Sequence, residues 1–143
     1  MAGSMVEPVA GCGERGAVLM GNPAGHGRRP QMLGGNPALV AVIPAYNEGL
    51  VIGSVALQTK QHVDRVIVVD DGSADRTAET ARLAGADVIR FEENGGKAKA
   101  MMAGFARARE LGYQVVVMLD GDGQHNPDEI PTVAAPVLAG VAD

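Results

Sequence analysis

Short apolar runs alternate with amphipathic segments along residues 37–143, and this alternation predicts strands separated by helices. Runs rich in Val, Ile and Leu predict buried strands at Leu39–Ile43, Arg65–Val69, Asp87–Phe91 and Val115–Leu119. The segments between them predict helices at Leu50–Gln58, Asp75–Ala84 and Lys97–Leu111. This order is typical of an α/β fold with a mostly parallel, doubly wound sheet flanked by helices.

Single residues mark the ends of these predicted elements. Pro44 is expected to end the first strand, and Gly85 and Gly112 to follow the second and third helices in their C-cap positions. Asn126 before Pro127 predicts the start of a last, short helix that reaches about residue 139. The apolar face of the third helix is predicted to contain Ala98, Met101, Met102, Phe105 and Ala108.

Residues 1–36 differ from the rest because they are rich in Gly, Pro and Asn and show no sustained periodicity. We expect a flexible leader there, removable with little loss of stability. Residues 11–16 match G-x-G-x-x-G, but that dinucleotide-binding fingerprint needs a strand before it and a helix after it. The flanks here are too short for either, so the predicted domain is residues 37–143.

Composition and charge exclude several classes of protein. The net charge is −5 and no basic stripe occurs, which excludes nucleic acid as a partner. The single cysteine, Cys12, supports neither a disulfide framework nor a zinc site. No apolar run approaches the roughly 18 residues of a membrane span, and no signal peptide is recognisable. A cytoplasmic location is therefore expected.

Ligands of doubly wound sheets bind at the carboxyl ends of the strands, and polar residues collect there in this sequence. After the first strand, Tyr46 offers a flat face for a base or ribose, and Glu48 can accept hydrogen bonds. The same turn is also explained as a plain strand–helix joint with Asn47 as a cap, and its residues alone do not decide between the two. After the second strand, Asp70 and Asp71 should point to opposite sides, so that one faces a ligand while the other bonds backbone amides.

The fourth strand is followed by Asp120-Gly121-Asp122-Gly123-Gln124. Two carboxylates and an amide oxygen are hard ligands, and they predict a Mg²⁺ or Mn²⁺ site that would bridge to a diphosphate. Lys97 lies at the start of the third helix, where anions are favoured. Anion binding and a merely solvated lysine are equally good explanations of Lys97. Ser73 and Asp75 are expected to cap the second helix.

Four segments, in this order and at this spacing, resemble glycosyltransferase family 2 with its Rossmann-like GT-A fold. They are VIPAYNE at 42–48, VVDDGSADRT at 68–77, NGGKAKA at 94–100 and DGDGQHNPDEI at 120–130. The resemblance covers residues 39–143 and is closest to the polyprenyl-phosphate (dolichyl-phosphate) hexosyltransferases. It implies metal-dependent, inverting transfer of a sugar from a GDP- or UDP-linked donor to a lipid phosphate.

The resemblance also implies residue roles. Substrate-binding roles fall on Pro44, Ala45, Tyr46, Glu48, Val69, Asp71, Lys97, Asp120 and Gly121. Asp122 would be the principal metal ligand, with Asp120 and Gln124 completing the protein side of the site. Asp120 and Asp122 would thereby be the catalytic residues.

Members of this family continue beyond the equivalent of Asp143 with a further strand and the acceptor-binding half. We therefore expect a truncated domain that holds only the donor-binding half and transfers no sugar to polyprenyl phosphate. The far edge of the fourth strand would be uncovered, which predicts a homo-oligomer formed through that edge. The full-length protein would be peripheral at the inner face of the membrane.

Two other classes share parts of the pattern. A response-regulator receiver also has an acidic pair after a Val-rich strand, but it begins with that strand. A haloacid-dehalogenase phosphatase has an Asp-x-Asp-Gly loop like that at Asp120, but the loop follows the first strand and continues with Thr, where this chain has Gln124. Both remain alternatives, as does a module that binds a nucleotide sugar without transferring it.

Overall fold

A computed structural model describes residues 5–7, 18–21, 38–123 and 126–132. Its strands are β1 Met5–Glu7, β2 Val18–Gly21, β3 Leu39–Ala45, β4 Arg65–Asp70, β5 Asp87–Arg90 and β6 Val115–Met118. Its helices are α1 Ile52–Lys60, α2 Thr77–Leu83 and α3 Lys97–Glu110, with a 3-10 helix at Pro127–Glu129. The described part of the chain contains no helix long and apolar enough to cross a membrane.

The strands form one sheet in the order β1-β2-β6-β3-β4-β5. Pairing is parallel between β6, β3, β4 and β5, and antiparallel where β1 and β2 join. The chain moves outward from β3 to β5, then crosses back over the sheet through α3 to β6. The predicted mostly parallel, doubly wound sheet is confirmed, and its switch point lies between β3 and β6.

Strand alternation divides the core between the two faces of the sheet. Ala41 and Ile43 of β3 belong to one apolar cluster with α1 and α2. Val40 and Val42 belong to a second cluster, with α3. Since β3 is buried along its whole length, the loop that follows it starts from a rigid base.

The prediction that Pro44 ends the first strand is wrong. β3 continues through Pro44, which pairs with Val69 of β4, as far as Ala45. Two residues earlier, the carbonyl of Val42 faces β6 and accepts from the N–H of Leu119 (3.0 Å). The backbone nitrogen of Pro44 also faces the β6 side, at a point beyond the end of β6. Its lack of an N–H group therefore removes no hydrogen bond between strands.

The prediction of a leader without regular structure is wrong for two short segments. β2 pairs with β6, Leu19 lying opposite Val117, and β1 pairs with β2. Strands of three and four residues are too short to show a periodicity, which is why the pattern gave no signal. The β6 edge is therefore covered by β2, and the argument for self-association through an uncovered edge fails. The domain boundary at residue 37 stays a prediction.

The predicted apolar face of the third helix is partly wrong. Phe105 and Ala108 are buried as expected, but Ala98 is exposed and Met102 is 67% exposed. The buried positions of α3 are Ala100, Gly104, Phe105 and Ala108. Apolar residues occur nearly all round this helix, so their spacing alone did not select the side that meets the sheet.

The ends of the helices are mostly as predicted. Gly85 and Gly112 follow α2 and α3 with φ of 92° and 86°, in the left-handed region that glycine adopts without strain. Asn126 caps the 3-10 helix by accepting from the N–H of Asp128 (3.0 Å), with Pro127 at the first position. The rest of the predicted last helix lies outside the described residues.

Candidate functional site

A cleft of about 300 Å³ opens at the carboxyl edge of the sheet, between the ends of β3 and β6. Three loops and the start of α3 form it. Its lining residues are Pro44, Ala45, Tyr46, Glu48, Asp71, Asn94, Gly96, Lys97, Ala100, Asp120, Gly121 and Asp122. The switch point of the sheet thus collects in one place residues that are up to 78 positions apart in the chain, from Pro44 to Asp122.

The loop after β3 presents Tyr46 and Glu48 to this cleft. Tyr46 is 47% exposed, so one side of its ring is open to a ligand. Asn47 between them has a φ of +54° and does not cap α1. Its side-chain carbonyl instead accepts from the N–H of Ala74 (2.9 Å), which joins this loop to the one after β4.

The adjacent carboxylates after β4 take different directions, as predicted. Asp71 lines the cleft, and its two oxygens accept from the N–H groups of Gly95 (2.7 Å) and Gly96 (3.0 Å) just before α3. Asp70 is fully buried and accepts from the N–H of Ser73 (2.9 Å). Asp71 therefore fixes the loop at the start of α3 from within the cleft.

The floor of the cleft is strongly negative. Burial raises the pKa of Glu48 above its ordinary value, and the nearby charges of Asp122, Asp75 and Asp120 raise the same pKa further. One positive group lies beside these carboxylates, because the ammonium of Lys97 forms an ion pair with Asp120. Like charges held this close favour the binding of a cation.

These residues fit a divalent metal ion. Asp120 and Asp122 supply hard oxygen ligands to one cleft, and their charges add to burial in raising the pKa of Glu48. Within the described ranges, no group of three His, Cys, Asp or Glu side chains is arranged to hold a metal. Two carboxylates with water and phosphate oxygens suit Mg²⁺, which keeps several waters in most protein sites.

One described site residue of those predicted, Val69, does not line the cleft. The side chain of Val69 is fully buried in the core beneath α3, where it would contact a Cβ built on Gly104 at 3.2 Å. Gln124, the predicted third metal ligand, lies outside the described residues, as does His125. The other predicted substrate and metal residues line the cleft together.

Sequence reasoning missed three lining residues, Asn94, Gly96 and Ala100. The NGGKAKA segment contains all three, but only its lysine was given a role. The expected capping of α2 by Ser73 is wrong, because the Ser73 hydroxyl accepts from the N–H of Asn47 (2.7 Å) instead. Asp75 accepts from the first amide of α2, at Thr77 (2.9 Å), which partly agrees with its expected capping role.

The model of the family described as "Glycosyl transferase family 2" matches residues 40–143. The chain belongs to glycosyl transferase family 2. The match begins one residue into β3 and includes every residue of the cleft. The receiver and phosphatase alternatives receive no support from it.

Relatives of this chain include two named polyprenyl-phosphate enzymes. The chain is 37% identical over 126 residues to polyprenol monophosphomannose synthase of Mycolicibacterium smegmatis, covering 81% of this chain and 47% of that protein. It is 34% identical over 115 residues to UDP-N-acetylglucosamine–dolichyl-phosphate N-acetylglucosaminyltransferase of Methanococcus voltae, covering 68% and 46%. The chain thus spans less than half the length of these relatives.

Solved structures of similar fold include glucosyl-3-phosphoglycerate synthase from Mycobacterium tuberculosis. Its complex with Mn²⁺, UDP-glucose and phosphoglyceric acid matches with a TM-score of 0.61 and 28% identity, over 80% of this chain and 46% of that one. Its complex with Mg²⁺ and UDP matches with a TM-score of 0.59 and 30% identity, over 71% and 40%. Divalent metals and UDP therefore occur together in proteins of this fold.

Proposed function

We propose that the cleft binds the nucleoside diphosphate of a UDP- or GDP-linked sugar, and that the whole protein transfers the sugar to a polyprenyl phosphate. One observation carries the proposal: an aromatic ring, two carboxylates with the properties of metal ligands and a lysine all line one cleft at the switch point. A nucleotide sugar has a matching order of base, ribose, diphosphate and sugar. The binding of UDP-glucose by a protein of this fold supports the same choice.

The nucleoside part would bind along the β3 side of the cleft. Tyr46 offers its exposed ring face to a base or ribose, and Glu48 offers a carboxylate to hydroxyl or N–H donors. Asp71 is held in place by two backbone amides, so it can accept a further hydrogen bond without rearrangement. These acceptors suit the donor groups of a base and ribose, not a phosphate.

The diphosphate would bind along the β6 side. Asp120 and Asp122 would hold a Mg²⁺ or Mn²⁺ ion, which neutralises the charge that develops on the leaving diphosphate. The ammonium of Lys97 lies beside Asp120 and supplies a second positive charge at the same place. Gly121 is buried, and a Cβ there would come within 3.0 Å of the Cβ of Ala45, so glycine allows the two strand ends to approach closely.

The lipid-phosphate acceptor is proposed from the relatives, two of which are named for polyprenol or dolichyl phosphate. A phosphate oxygen is already ionised near neutral pH, so attack on the sugar needs no strong general base. Displacement by that oxygen on the face opposite the diphosphate would invert the anomeric centre. We place this reaction at the cytoplasmic face of a membrane, where such a lipid would be accessible.

A thermal-shift experiment with UDP and GDP tests the proposal. Each nucleotide should raise the melting temperature more with Mn²⁺ than with EDTA, because the ion would bridge carboxylates and diphosphate. Asp122→Ala should abolish the difference. Glu110→Ala is the matched control, since it removes an exposed carboxylate at the far end of α3. Equal shifts in EDTA would refute the metal bridge, and no shift with either nucleotide would refute the proposed function.

A further inference from the structure

Three consecutive N–H groups of the loop after β3 donate to side chains of residues 73–77, which run from the loop after β4 to the first residue of α2. The amide of Asn47 donates to the hydroxyl of Ser73 (2.7 Å), and the amide of Glu48 to the hydroxyl of Thr77 (2.9 Å). The next amide, at Gly49, donates to a carboxylate oxygen of Asp75 (3.0 Å). We call residues 46–49 the presenting loop, because it carries Tyr46 and Glu48 into the cleft.

The three acceptors are themselves fixed. Ser73 and Thr77 are buried, with 3% and 0% of their surface exposed. The amide of Ser73 donates to the buried carboxylate of Asp70 (2.9 Å). The hydroxyl proton of Thr77 is donated to Asp75, so the Thr77 oxygen is left to accept from the amide of Glu48.

The presenting loop needs such restraint for two reasons. Asn47 has a φ of +54°, a conformation that residues other than glycine adopt infrequently. Burial raises the pKa of Glu48, and the nearby charges of Asp122, Asp75 and Asp120 raise it further, so its carboxylate is repelled by these groups. Repulsion of this kind would move Glu48 away from the cleft unless its backbone were held.

Close packing adds to the restraint at Gly49. A Cβ at this position would lie 3.0 Å from the Asp75 carboxylate oxygen that accepts its N–H. A larger residue at Gly49 would therefore require the Asp75 side chain to shift.

We propose that Ser73, Asp75 and Thr77 are positioning residues that set nucleotide affinity through the presenting loop. None of the three is among the described residues that line the cleft, and each accepts a hydrogen bond from an N–H group of the presenting loop. Because Ser73 and Thr77 carry no charge, we expect their effect on binding to pass through that loop. This inference rests on the proposed function for its binding readout. The hydrogen bonds themselves provide a second readout that does not depend on any nucleotide.

The decisive variant is Thr77→Val, which keeps the shape of the side chain and removes both the acceptor for the Glu48 amide and the donor to Asp75. Thr59→Val is the matched control. Thr59 is equally buried, but its hydroxyl donates to the carbonyl of Val55 within α1 and does not touch the presenting loop. Thr77→Ser restores a hydroxyl at the same place and tests for rescue.

Calorimetric titration with UDP and with GDP, in the presence of Mn²⁺, should show about tenfold weaker binding for Thr77→Val, the loss expected for the one hydrogen bond that Thr77 makes to the presenting loop. Thr77→Ser should bind within about twofold of the wild type, and Thr59→Val should bind like the wild type even where its melting temperature falls equally. The affinity for Mn²⁺ alone should be the same in all four proteins. If Thr59→Val weakened nucleotide binding as much as Thr77→Val, general destabilisation would explain the loss and the proposal would be overturned.

Amide hydrogen exchange without nucleotide separates failure of this proposal from failure of the proposed function. The amides of residues 47–49 should exchange faster in Thr77→Val than in the wild type. In Thr59→Val they should exchange at the wild-type rate. If the wild type bound neither nucleotide, the proposed function would fail, and the exchange rates alone would decide whether the loop is held as described. Unchanged exchange at residues 47–49 would overturn the proposal. If Thr77→Val does not fold, Ser73→Ala replaces it, because it removes the acceptor for the amide of Asn47. The same changes in nucleotide affinity and amide exchange are expected for it.

Discussion

At the residue scale, the described residues that line the cleft include four carboxylates and one ammonium group. Glu48, Asp120 and Asp122 line it together, and Lys97 is paired with Asp120. Such an arrangement lowers the stability of the unliganded protein, because like charges near one another disfavour the folded state. The same negative charge attracts a divalent cation, and the proposed function requires such an ion in the cleft.

The pH dependence of stability follows from this repulsion. The pKa of Glu48 is higher in the folded protein than its ordinary value of 4.5, so the folded state binds this proton more tightly than the unfolded state does. The free energy of unfolding therefore falls as the pH rises from 4.5 through the raised pKa and Glu48 becomes ionised. Glu48→Gln should therefore increase stability at pH 7, by less than about 1 kcal/mol because solvent screens a partly exposed charge. The increase should disappear below pH 4.5, where Glu48 is protonated in both states.

Glu79→Gln gives a control of opposite sign. A hydrogen bond from Arg76 lowers the pKa of Glu79, so its ionised form favours the folded state above the ordinary pKa. This substitution should lower stability at pH 7 and have less effect as pH falls through the lowered pKa. Melting temperatures between pH 3 and 8, without nucleotide or metal, would measure both effects. A lower melting temperature of Glu48→Gln at pH 7 would contradict the repulsion argument.

At the element scale, Gly104 determines how closely α3 can approach the sheet beneath the cleft. Gly104 faces β3 and β4, and a Cβ there would lie 2.3 Å from Cγ1 of Val42 and 3.2 Å from Cγ2 of Val69. Only glycine allows this approach without movement of buried, β-branched side chains. The start of the same helix bears Lys97 and meets Asp71 through Gly96, so the packing of α3 also sets the shape of the cleft.

Gly104→Ala should therefore destabilise the protein. Overpacking of a dense core costs about 1–3 kcal/mol, whereas the gain in helix propensity is about 1 kcal/mol. Gly53→Ala in α1 is the control, because it gains the same propensity while its Cβ would come no closer than 3.1 Å to a methyl group of Thr80. Urea denaturation would measure the free energy of unfolding of both variants and of the wild type. An equal change in the two variants would show that Gly104 is not needed for packing.

The strands β1 and β2 are the elements that sequence patterns did not reveal. Their pairing covers the edge of β6. Deletion of residues 1–21 should uncover this edge and promote self-association, since an unpaired edge is a template for another strand. Deletion of residues 1–7 is the control, because it removes β1 and leaves β2 in place. Light scattering would detect the difference, and a monomer in both cases would contradict a covering role for β2.

The parallel strands and helices could be predicted because each shows a periodicity or a long apolar run. The cleft could be predicted for a topological reason: strands in doubly wound order bring the residues after β3 and β6 to one edge. What could not be predicted depends on three-dimensional contacts. Ser73 was expected to cap a helix and instead holds the presenting loop, since a hydroxyl can accept from either amide and only the fold decides which is near.

At the scale of the whole molecule, the sheet provides a base for a cleft that is formed by three loops and the start of α3. The presenting loop contributes Tyr46 and Glu48, the loop after β6 contributes Asp120 and Asp122, and the start of α3 contributes Lys97. The match to the family 2 model covers residues 40–143 and so includes all of these parts of the cleft. The chain spans less than half of its relatives, so the acceptor side of the reaction stays a proposal.

The most direct test of the proposed metal and nucleotide site is an anomalous difference map from crystals of this chain grown with UDP or GDP and Mn²⁺. A manganese peak is expected within about 2.5 Å of a carboxylate oxygen of Asp122, the distance of a divalent ion bound by oxygen ligands. Diphosphate oxygens are expected on the same ion, and a base beside Tyr46, if the proposed site is correct. A nucleotide bound elsewhere on the molecule, or manganese held away from both Asp120 and Asp122, would contradict it.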